Sequence, residues 1–269
     1  MITHRAAVLG SPIAHSLSPV LHNAGYAALG LSHWEYGRRE CTAEQLAGIV
    51  SNADSSYRGF SVTMPGKFAA LQFADEATER ARAIGSANTL VRVGEDVWKA
   101  DNTDCDGIRG ALAELGALTG TTAFVLGGGG TARPALWALV QAGYQKIIVF
   151  NRSDKTAELA PLVGDIDFAV HPLTESAIVS AGLADVIIST VPSRAIAGLE
   201  PTIAIAPILD VIYDPWPTPL ICQAQQNNIS AVGGHCMLAH QAFGQFEQFT
   251  GHKAPQVAMS QALRKAIQI

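Results

Sequence analysis

Thr122-Ala-Phe-Val-Leu-Gly-Gly-Gly-Gly-Thr-Ala-Arg-Pro-Ala135 is the stretch of this 269-residue chain that decides its fold. The mostly apolar run predicts a buried strand, the four glycines predict a tight turn, and the residues after the turn predict a helix. Gly127, Gly129 and Ala132 have the spacing G-x-G-x-x-A. In that spacing the first glycine permits the turn, the second lets backbone N–H groups approach a pyrophosphate, and the third small residue lets the helix pack on the strand.

The residues that follow complete a strand–turn–helix–strand unit. A helical pattern runs through Ala142, Gly143 ends it, and the apolar run Lys146–Phe150 predicts the next strand. A run of four glycines alone is also compatible with a plain loop. In this context, however, the turn predicts a dinucleotide-binding site.

The end of that second strand bears on which dinucleotide binds. It reads Phe150-Asn-Arg-Ser-Asp-Lys155, with Arg152 and Lys155 close by and no carboxylate at the strand tip. Cofactors with a free ribose 2′-hydroxyl usually meet an Asp or Glu there, whereas a 2′-phosphate is bound by an arginine. The pattern therefore favours NADP over NAD, the alternative being that Arg152 is an ordinary solvated charge.

Bulk properties narrow the class of protein. The length predicts two domains, and a formal charge of −5 without a basic run argues against a nucleic-acid partner. The four cysteines form no C-x-x-C pair, so we expect reduced thiols of a cytoplasmic protein and no metal site. The first residues lead directly into a strand, which predicts no signal peptide, and no apolar run is long enough to span a membrane.

Strand and helix patterns alternate along the chain, which predicts an α/β protein with mostly parallel sheets. We expect two α/β domains. The N-terminal one, a substrate domain, comprises residues 1–104 and 240–269, and a Rossmann-type NADP-binding domain comprises residues 105–239. The C-terminal helices, His235–Thr250 and Pro255–Ile267, are expected to return to the first domain. Thr89–Val93 and Val97–Ala100 are predicted to form a hairpin.

Four loop motifs outside the glycine turn carry more polar groups than loops need, and the first two contain Ser16 and Lys67. Ser16 and Ser18 precede a predicted helix, so their hydroxyls and nearby N–H groups could face one anion, although Ser18 alone is also a typical N-cap. Lys67 follows Ser61-Val-Thr-Met-Pro-Gly at the end of a predicted parallel strand, where open α/β sheets place ligands. Lys67 is therefore a candidate general acid/base, against the alternative of a solvated charge.

The carboxylates Asp101, Asp104 and Asp106 suggest a cation site, but their spacing does not match that of a calcium-binding loop. When Gly107 is aligned with the glycine of a calcium loop, Ala113 falls where the bidentate glutamate must stand. A carboxylate that helps to position a lysine and a substrate hydroxyl fits better. His15, His235 and His240 show no ligand spacing with a partner, so we interpret them as structural or solvated.

Together these motifs resemble the shikimate dehydrogenase family over nearly the whole chain. Besides the glycine turn they are, in order, S-x-S at Ser16, V-T-x-P-x-K at Val62, S-A-N-T at Ser86, N-T-D-x-x-G at Asn102, N-R-[ST] at Asn151, D-x-x-Y-x-P-x-x-T-P-L at Asp210 and G-x-x-M-L-x-x-Q at Gly234. Ser61 departs from the family, which usually has Asn there, and Lys155 and Thr156 stand where many relatives have a second Arg.

The resemblance implies a set of site residues. On the substrate side they are Ser16, Ser18, Thr63, Asn88 and Tyr213, with Lys67, Asp104 and Gln241 around the reacting oxygen. On the cofactor side they are Gly127, Gly128, Gly129, Gly130, Thr131, Ala132, Asn151, Arg152, Ser153, Lys155 and Thr190, with Gly234 and Met237 near the nicotinamide.

The resemblance also implies an activity, the NADP-dependent reversible reduction of 3-dehydroshikimate to shikimate by a monomer or homodimer. Lys67 would protonate the developing alkoxide and Asp104 would bind the neighbouring hydroxyl, with the substrate held between the two domains. One alternative is an NAD-dependent quinate/shikimate dehydrogenase. Another is a non-catalytic NADPH-binding sensor of the same fold, which would need neither Lys67 nor Asp104.

Overall fold

The computed structural model describes residues 1–268, which form two compact units. The first unit comprises Met1–Thr103 together with the chain from Gln241 onward, and the second comprises Asp104–His240. Each unit contains one six-stranded sheet with helices. The predicted α/β class is confirmed.

The first unit begins with ten elements that follow the predicted alternation. They are β1 (His4–Gly10), α1 (Ser18–Ala28), β2 (Trp34–Glu40), α2 (Leu46–Ser51), β3 (Tyr57–Val62), α3 (Lys67–Phe73), β4 (Glu76–Ala77), α4 (Glu79–Ile84), β5 (Thr89–Gly94) and β6 (Val97–Asp101). The sheet order is β2-β1-β3-β5-β6-β4. Strand β5 is antiparallel to β3 and β6, which confirms the predicted hairpin, and the other pairs are parallel.

Strand β1 shows why this sheet is covered on both faces. Ala6, Ala7, Val8 and Leu9 are all buried, as is typical of a parallel strand with helices on either side. On one side Leu9, Phe60 and Trp98 form a core with residues of α2 and α3. This packing holds the carboxyl ends of β1, β3 and β6 at one edge of the sheet.

The second unit repeats strand and helix more regularly. Its elements are α5 (Asp104–Glu114), β7 (Thr122–Leu126), α6 (Ala132–Gln141), β8 (Lys146–Asn151), α7 (Thr156–Leu159), β9 (Asp167–Pro172), α8 (Glu175–Ala181), β10 (Val186–Ser189), α9 (Glu200–Ile203), β11 (Ile208–Asp210), α10 (Pro219–Gln226) and β12 (Ala231–Gly233). All strand pairs are parallel. The order β9-β8-β7-β10-β11-β12 is that of the doubly wound dinucleotide-binding fold, whose strand order reverses between β7 and β10.

Two helices end the described chain, α11 (Gly234–Thr250) and α12 (Gln256–Ile267). The boundary between the units falls within α11, after His240. In the first unit α12 packs against α1. A Cβ on Gly25 of α1 would lie 2.6 Å from Phe246 and 3.1 Å from Met259, so glycine allows these helices to approach closely. The predicted return of the C-terminal helices is confirmed.

Some local predictions were wrong. Ser18 does not cap α1: Leu17 is the N-cap residue and Ser18 is the first residue of the helix. The elements β4, α4, α8, α9, α10 and β12 were not predicted. Among the described residues, no helix combines the length and the apolarity needed to cross a membrane.

Candidate active site

Asn88 is the centre of a buried polar cluster at the edge where β3 and β6 end. Its side-chain oxygen accepts hydrogen bonds from the backbone N–H of Thr103 and the hydroxyl of Thr89, both at 2.8 Å. Its amide donates to the Thr103 hydroxyl at 3.0 Å and to Oε1 of Gln241 at 3.2 Å. Asn88 is 2% exposed, so these partners fix the orientation of its amide. The sequence therefore brings two predicted substrate residues, Asn88 and Gln241, into direct contact.

A chain of hydroxyl and amide groups extends this cluster across the sheet. The hydroxyl of Tyr36 donates to Oγ of Ser61 at 2.5 Å, and Ser61 donates to Oε1 of Gln245 at 2.8 Å. The amide of Gln245 in turn donates to the carbonyl of Asn88 and to the hydroxyl of Thr89, both at 3.0 Å. Strand β2, strand β3 and helix α11 are thus joined by one buried network.

The two predicted serines adjoin the other end of this network. Burial raises the pKa of the Tyr36 phenol, while hydrogen bonds with Ser61 and Ser18 act in the opposite direction. The Ser16 hydroxyl donates to the Ser18 hydroxyl at 3.3 Å and accepts the Ser18 backbone N–H at 3.4 Å. Arg38 donates to the carbonyl of Ser16 at 2.6 and 2.8 Å. These contacts order the loop that presents both hydroxyls.

Thr63 and Lys67 frame the same sheet edge. Thr63 directly follows β3, and its N–H donates to the carbonyl of Leu9 at 2.9 Å. Lys67 is the first residue of α3, is partly buried, and accepts the N–H of Ala87 at its backbone carbonyl at 2.9 Å. The loop before Asn88 is therefore tied to the start of α3. Ser16, Ser18, Thr63, Lys67, Asn88 and Gln241 all belong to the first unit.

The carboxylates near residue 101 have different surroundings. Asp101 is buried, forms an ion pair with Arg80, and accepts hydrogen bonds from Thr78 at 2.7 Å and Gln248 at 2.8 Å. Burial raises the pKa of Asp101, but the bonds from Arg80 and Thr78 hold it below the usual range. Asp104 is buried at the first residue of α5, where a helix dipole favours a negative charge. Asp101 is thus structural, and Asp104 remains the catalytic candidate.

The glycine turn of the second unit has the geometry that its spacing predicts. Gly127 has a φ of +98°, and a Cβ there would lie 2.6 Å from Oγ1 of Thr190, so glycine is required. By contrast, a Cβ on Gly129 or Gly130 would meet nothing within 4 Å, and both residues are exposed. Thr131 then precedes α6, whose first residue, Ala132, is fully buried against the unit. The turn therefore exposes backbone at the start of a helix.

The end of β8 lies beside this turn. Oδ1 of Asn151 accepts the N–H of Gly128 at 3.2 Å, and the Asn151 amide donates to the carbonyl of Ser153 at 2.9 Å. Arg152 is exposed at the same strand end. Lys155 is paired with Glu158 at 2.5 Å, and its Cγ would lie 3.1 Å from a Cβ on Gly128. The stem of Lys155 thus packs against the turn while its charge is partly neutralised.

The remaining predicted residues lie on the other half of the second sheet. Thr190 follows β10 and donates to the carbonyl of Leu126 at 2.8 Å, which places it beside the turn. Tyr213 follows β11 and is partly buried, and burial raises its pKa. A Cβ on Gly234 would lie 1.9 Å from the carbonyl oxygen of Val211, so only glycine fits at the start of α11. Met237 is buried one turn later.

Two residues that support the polar cluster were not predicted from the sequence. Gln245 and Tyr36 were not predicted because their partner, Ser61, lies 184 and 25 residues away, and no local motif marks such a contact. The statement that His240 lacks a partner at ligand spacing was wrong. Cys236 precedes it by four residues on one helix, and the two lie together with Glu114.

The second unit is a doubly wound nucleotide-binding domain by strand order and turn geometry, and the first unit has a polar cluster at its sheet edge. This class of protein contains many families, and comparison of the sequence with family models identifies the family of this chain. Residues 8–90 match the family model of the shikimate dehydrogenase substrate binding domain, residues 110–200 that of shikimate/quinate 5-dehydrogenase, and residues 234–264 that of the shikimate 5′-dehydrogenase C-terminal domain. The chain belongs to the shikimate dehydrogenase family.

Relatives of known structure agree with this assignment. Shikimate dehydrogenase from Mycobacterium tuberculosis is 48% identical, with a TM-score of 0.90 over 98% of this chain and 99% of the other. Shikimate 5-dehydrogenase from Thermus thermophilus, solved in complex with NADP(H) and shikimate, is 30% identical, with a TM-score of 0.84 over 98% of this chain and 99% of the other.

The curated relatives include one protein of similar length and one that is much longer. Shikimate dehydrogenase (NADP(+)) from Methanothermobacter thermautotrophicus is 30% identical over 98% of this chain and 97% of its own. The pentafunctional AROM polypeptide of Saccharomyces cerevisiae is 36% identical over 96% of this chain. The chain spans 17% of the length of that yeast protein.

Proposed function

We propose that this protein catalyses the reversible, NADP-dependent reduction of 3-dehydroshikimate to shikimate, a step in aromatic amino-acid biosynthesis. The observation that carries the proposal is the buried network of the first unit, which runs from Tyr36 through Ser61 and Gln245 to Asn88. A network of neutral hydroxyls and amides is organised to bind a ligand rich in hydroxyl groups. The same sheet edge carries Lys67 at the start of a helix.

Substrate recognition follows from the groups that this edge presents. Ser16, Ser18, Thr63 and Asn88 supply hydroxyl and amide donors for the carboxylate and ring hydroxyls, with Gln241 held against Asn88. Tyr213 of the second unit supplies a phenol whose pKa burial raises, so that it stays protonated and donates. Each donor costs little to organise because the fold already fixes it.

Lys67 and Asp104 carry the proton chemistry. In reduction the ketone carbon accepts a hydride, its oxygen gains negative charge, and Lys67 gives that oxygen a proton. In oxidation neutral Lys67 takes the proton from the hydroxyl as the hydride leaves. Asp104 accepts a hydrogen bond from the adjacent substrate hydroxyl, which fixes the position of the reacting carbon.

The second unit has the groups needed to hold NADP. The exposed backbone of Gly129 and Gly130 at the start of α6 suits a pyrophosphate, and Asn151, Arg152, Ser153 and Lys155 suit the 2′-phosphate. Thr190, Gly234 and Met237 suit the nicotinamide half. When bound, the cofactor supplies the hydride. The relative from Methanothermobacter thermautotrophicus is named for NADP(+), which supports this choice.

We also propose that the protein works in the cytoplasm as a monomer or homodimer. The four cysteines of the described chain form no disulfide with one another, which suits a reducing compartment. Size-exclusion chromatography with light scattering measures the oligomeric state directly.

The test is a single-turnover reaction of the purified full chain with NADPH and 3-dehydroshikimate, followed by NADPH absorbance and by chromatography of the product. We expect one shikimate per NADPH consumed, and slower turnover with NADH. Oxidation of shikimate and quinate under saturating NADP is the companion measurement. We expect shikimate to have the higher kcat/KM by at least about tenfold, because a buried hydroxyl left unpaired costs about 1–3 kcal/mol. Binding of NADPH without turnover would establish the sensor alternative instead.

A further inference from the structure

A cluster of metal-ligand side chains lies in the second unit. It consists of Glu114, Cys236 and His240, and one ligand atom from each lies within 4.8 Å of the other two. Nε2 of His240 is 3.0 Å from Oε1 of Glu114. A carboxylate, a thiol and an imidazole together are a combination that the proposed reaction does not use.

The local sequence explains how the cluster forms. Cys236 and His240 are four residues apart on α11, so their side chains lie on one face of the helix. Glu114 is the last residue of α5. A Cβ on Gly110 of α5 would lie 2.1 Å from Cγ of His240, so glycine at that position lets the imidazole ring lie against α5.

We propose that Glu114, Cys236 and His240 form a binding site for a divalent cation of the zinc class. Thiolate, imidazole and carboxylate are the protein ligands that Zn²⁺ prefers, whereas Mg²⁺ and Ca²⁺ take oxygen ligands only. Three protein ligands leave a fourth position for water, which gives an open tetrahedral site.

The geometry needs only small movements to accept the ion. Metal–ligand bonds of about 2.0–2.3 Å place tetrahedral ligand atoms roughly 3.3–3.8 Å apart, and the present atoms lie within 4.8 Å. The Glu114 side chain is 46% exposed and can therefore change rotamer, while His240 is 29% exposed. Cys236 is buried, and its thiol must lose its proton to solvent as the metal–sulfur bond forms. Affinity is consequently expected to rise with pH.

The consequence for the protein is a cross-link between α5 and the first turns of α11. Met237, next to Cys236, is on the same turns of α11. An occupied site would therefore stabilise the fold of this part of the second unit. Such a site stands independently of the proposed reaction, so either can fail without the other.

The test uses Co²⁺ as a spectroscopic probe for the zinc class and then Zn²⁺ in competition. The full-length protein is reduced, treated with chelator, desalted and titrated with Co²⁺ alone. We expect a thiolate-to-cobalt charge-transfer band that saturates at one equivalent and disappears when Zn²⁺ is added. Thermal unfolding supplies a second readout, because a ligand that binds only the native state raises the Tm.

Three variants test the ligand assignment. C236S should abolish the charge-transfer band, and H240Q and E114Q should each weaken binding by at least about tenfold while the band persists at higher metal concentration. C222S is the matched control, since Cys222 is a partly buried free thiol of the same unit outside the cluster, and it should bind like the wild type. E114Q changes a half-exposed residue at the end of α5, so it stays informative even if C236S or H240Q fails to fold.

Two results would overturn the proposal. One is the absence of a thiolate band and of any Zn²⁺-dependent rise in Tm in the wild-type protein. The other is a band or a Tm shift that survives unchanged in C236S and H240Q while C222S loses it, because the metal would then bind at a different thiol.

Discussion

Lys67 is the residue on which the proposed chemistry depends most directly. A proton donor acts where charge develops, so K67A is expected to lower kcat by about 10²–10⁴-fold while changing the KM for shikimate much less. Steady-state rates of shikimate oxidation under saturating NADP measure both quantities. The control is K253A, because Lys253 is an exposed lysine of the same unit. If K67A keeps more than half of the wild-type kcat, Lys67 is not the acid/base.

Arg152 is the residue on which the predicted preference for NADP over NAD depends. Its exposed position at the end of β8 suits a 2′-phosphate, and the neighbouring Lys155 is already paired with Glu158. Charge-assisted contacts contribute about 1.5–3 kcal/mol, so R152A is expected to raise the KM for NADP by about 10- to 100-fold and that for NAD little. The measurement is KM for both cofactors with shikimate saturating.

Lys146 offers a matched control for this prediction, because it is a cation at the opposite end of the same strand. K146A should leave both KM values near those of the wild type. Equal losses with NADP and NAD in R152A would show that Arg152 acts on the fold and not on the phosphate.

At the scale of elements, Ser61 joins β2, β3 and α11 through Tyr36 and Gln245. S61A leaves the Gln245 oxygen buried without its donor, which costs about 1–3 kcal/mol. The free energy of unfolding from urea titration should fall by that amount. We expect the KM for shikimate to rise as well, because Gln245 holds Asn88. S51A, at an exposed serine of α2, is the control, and a loss below about 0.5 kcal/mol in S61A would show that the network does not depend on Ser61.

Elements differ in how far the sequence predicts them. The long apolar runs of β1, β7 and β8, and the turn at Gly127, were predicted because burial and positive φ leave a local pattern. Elements such as β12 and α9, of three and four residues, are too short to show periodicity. Ser18 was assigned as a cap because serine is common there, but in the fold Ser18 is the first residue of α1 and its hydroxyl accepts a hydrogen bond from Ser16.

The residues of the candidate site likewise differ in whether a local sequence pattern predicts them. Residues that follow a strand end, such as Lys67 and Arg152, were identified as candidates because parallel strands present their carboxyl ends to ligands. The contacts of Gln245 with Ser61 and Asn88 join residues more than 150 positions apart. The group of Glu114, Cys236 and His240 likewise depends on the packing of two helices that are distant in the chain. A single sequence does not encode such distances in any local pattern.

At the scale of the whole molecule, one buried histidine links stability to pH. His22 is fully buried and stacks on Tyr36 with ring centroids 4.1 Å apart. Burial lowers its pKa from 6.5 to about 3, and neither ring nitrogen has a hydrogen-bond partner among the described residues. Because the folded pKa lies below the unfolded one, the unfolded chain binds the proton first as the pH falls. The contribution of neutral His22 to the free energy of unfolding is therefore fully present above pH 6.5 and is lost progressively between pH 6.5 and 3.

The size of this effect gives the last prediction. At about 1.4 kcal/mol per pH unit, acidification from pH 7 to 5 should cost about 2 kcal/mol through His22 alone. H22F keeps an aromatic ring against Tyr36 without the titrating group, so its free energy of unfolding should fall by about 2 kcal/mol less than that of the wild type over the same interval. Urea titrations at several pH values measure the difference, with H252F, at an exposed histidine of the same unit, as the control. If the free energy of unfolding depends on pH in the same way in the wild type and in H22F, the prediction is wrong. His22 would then take up its proton equally well in the folded and the unfolded chain.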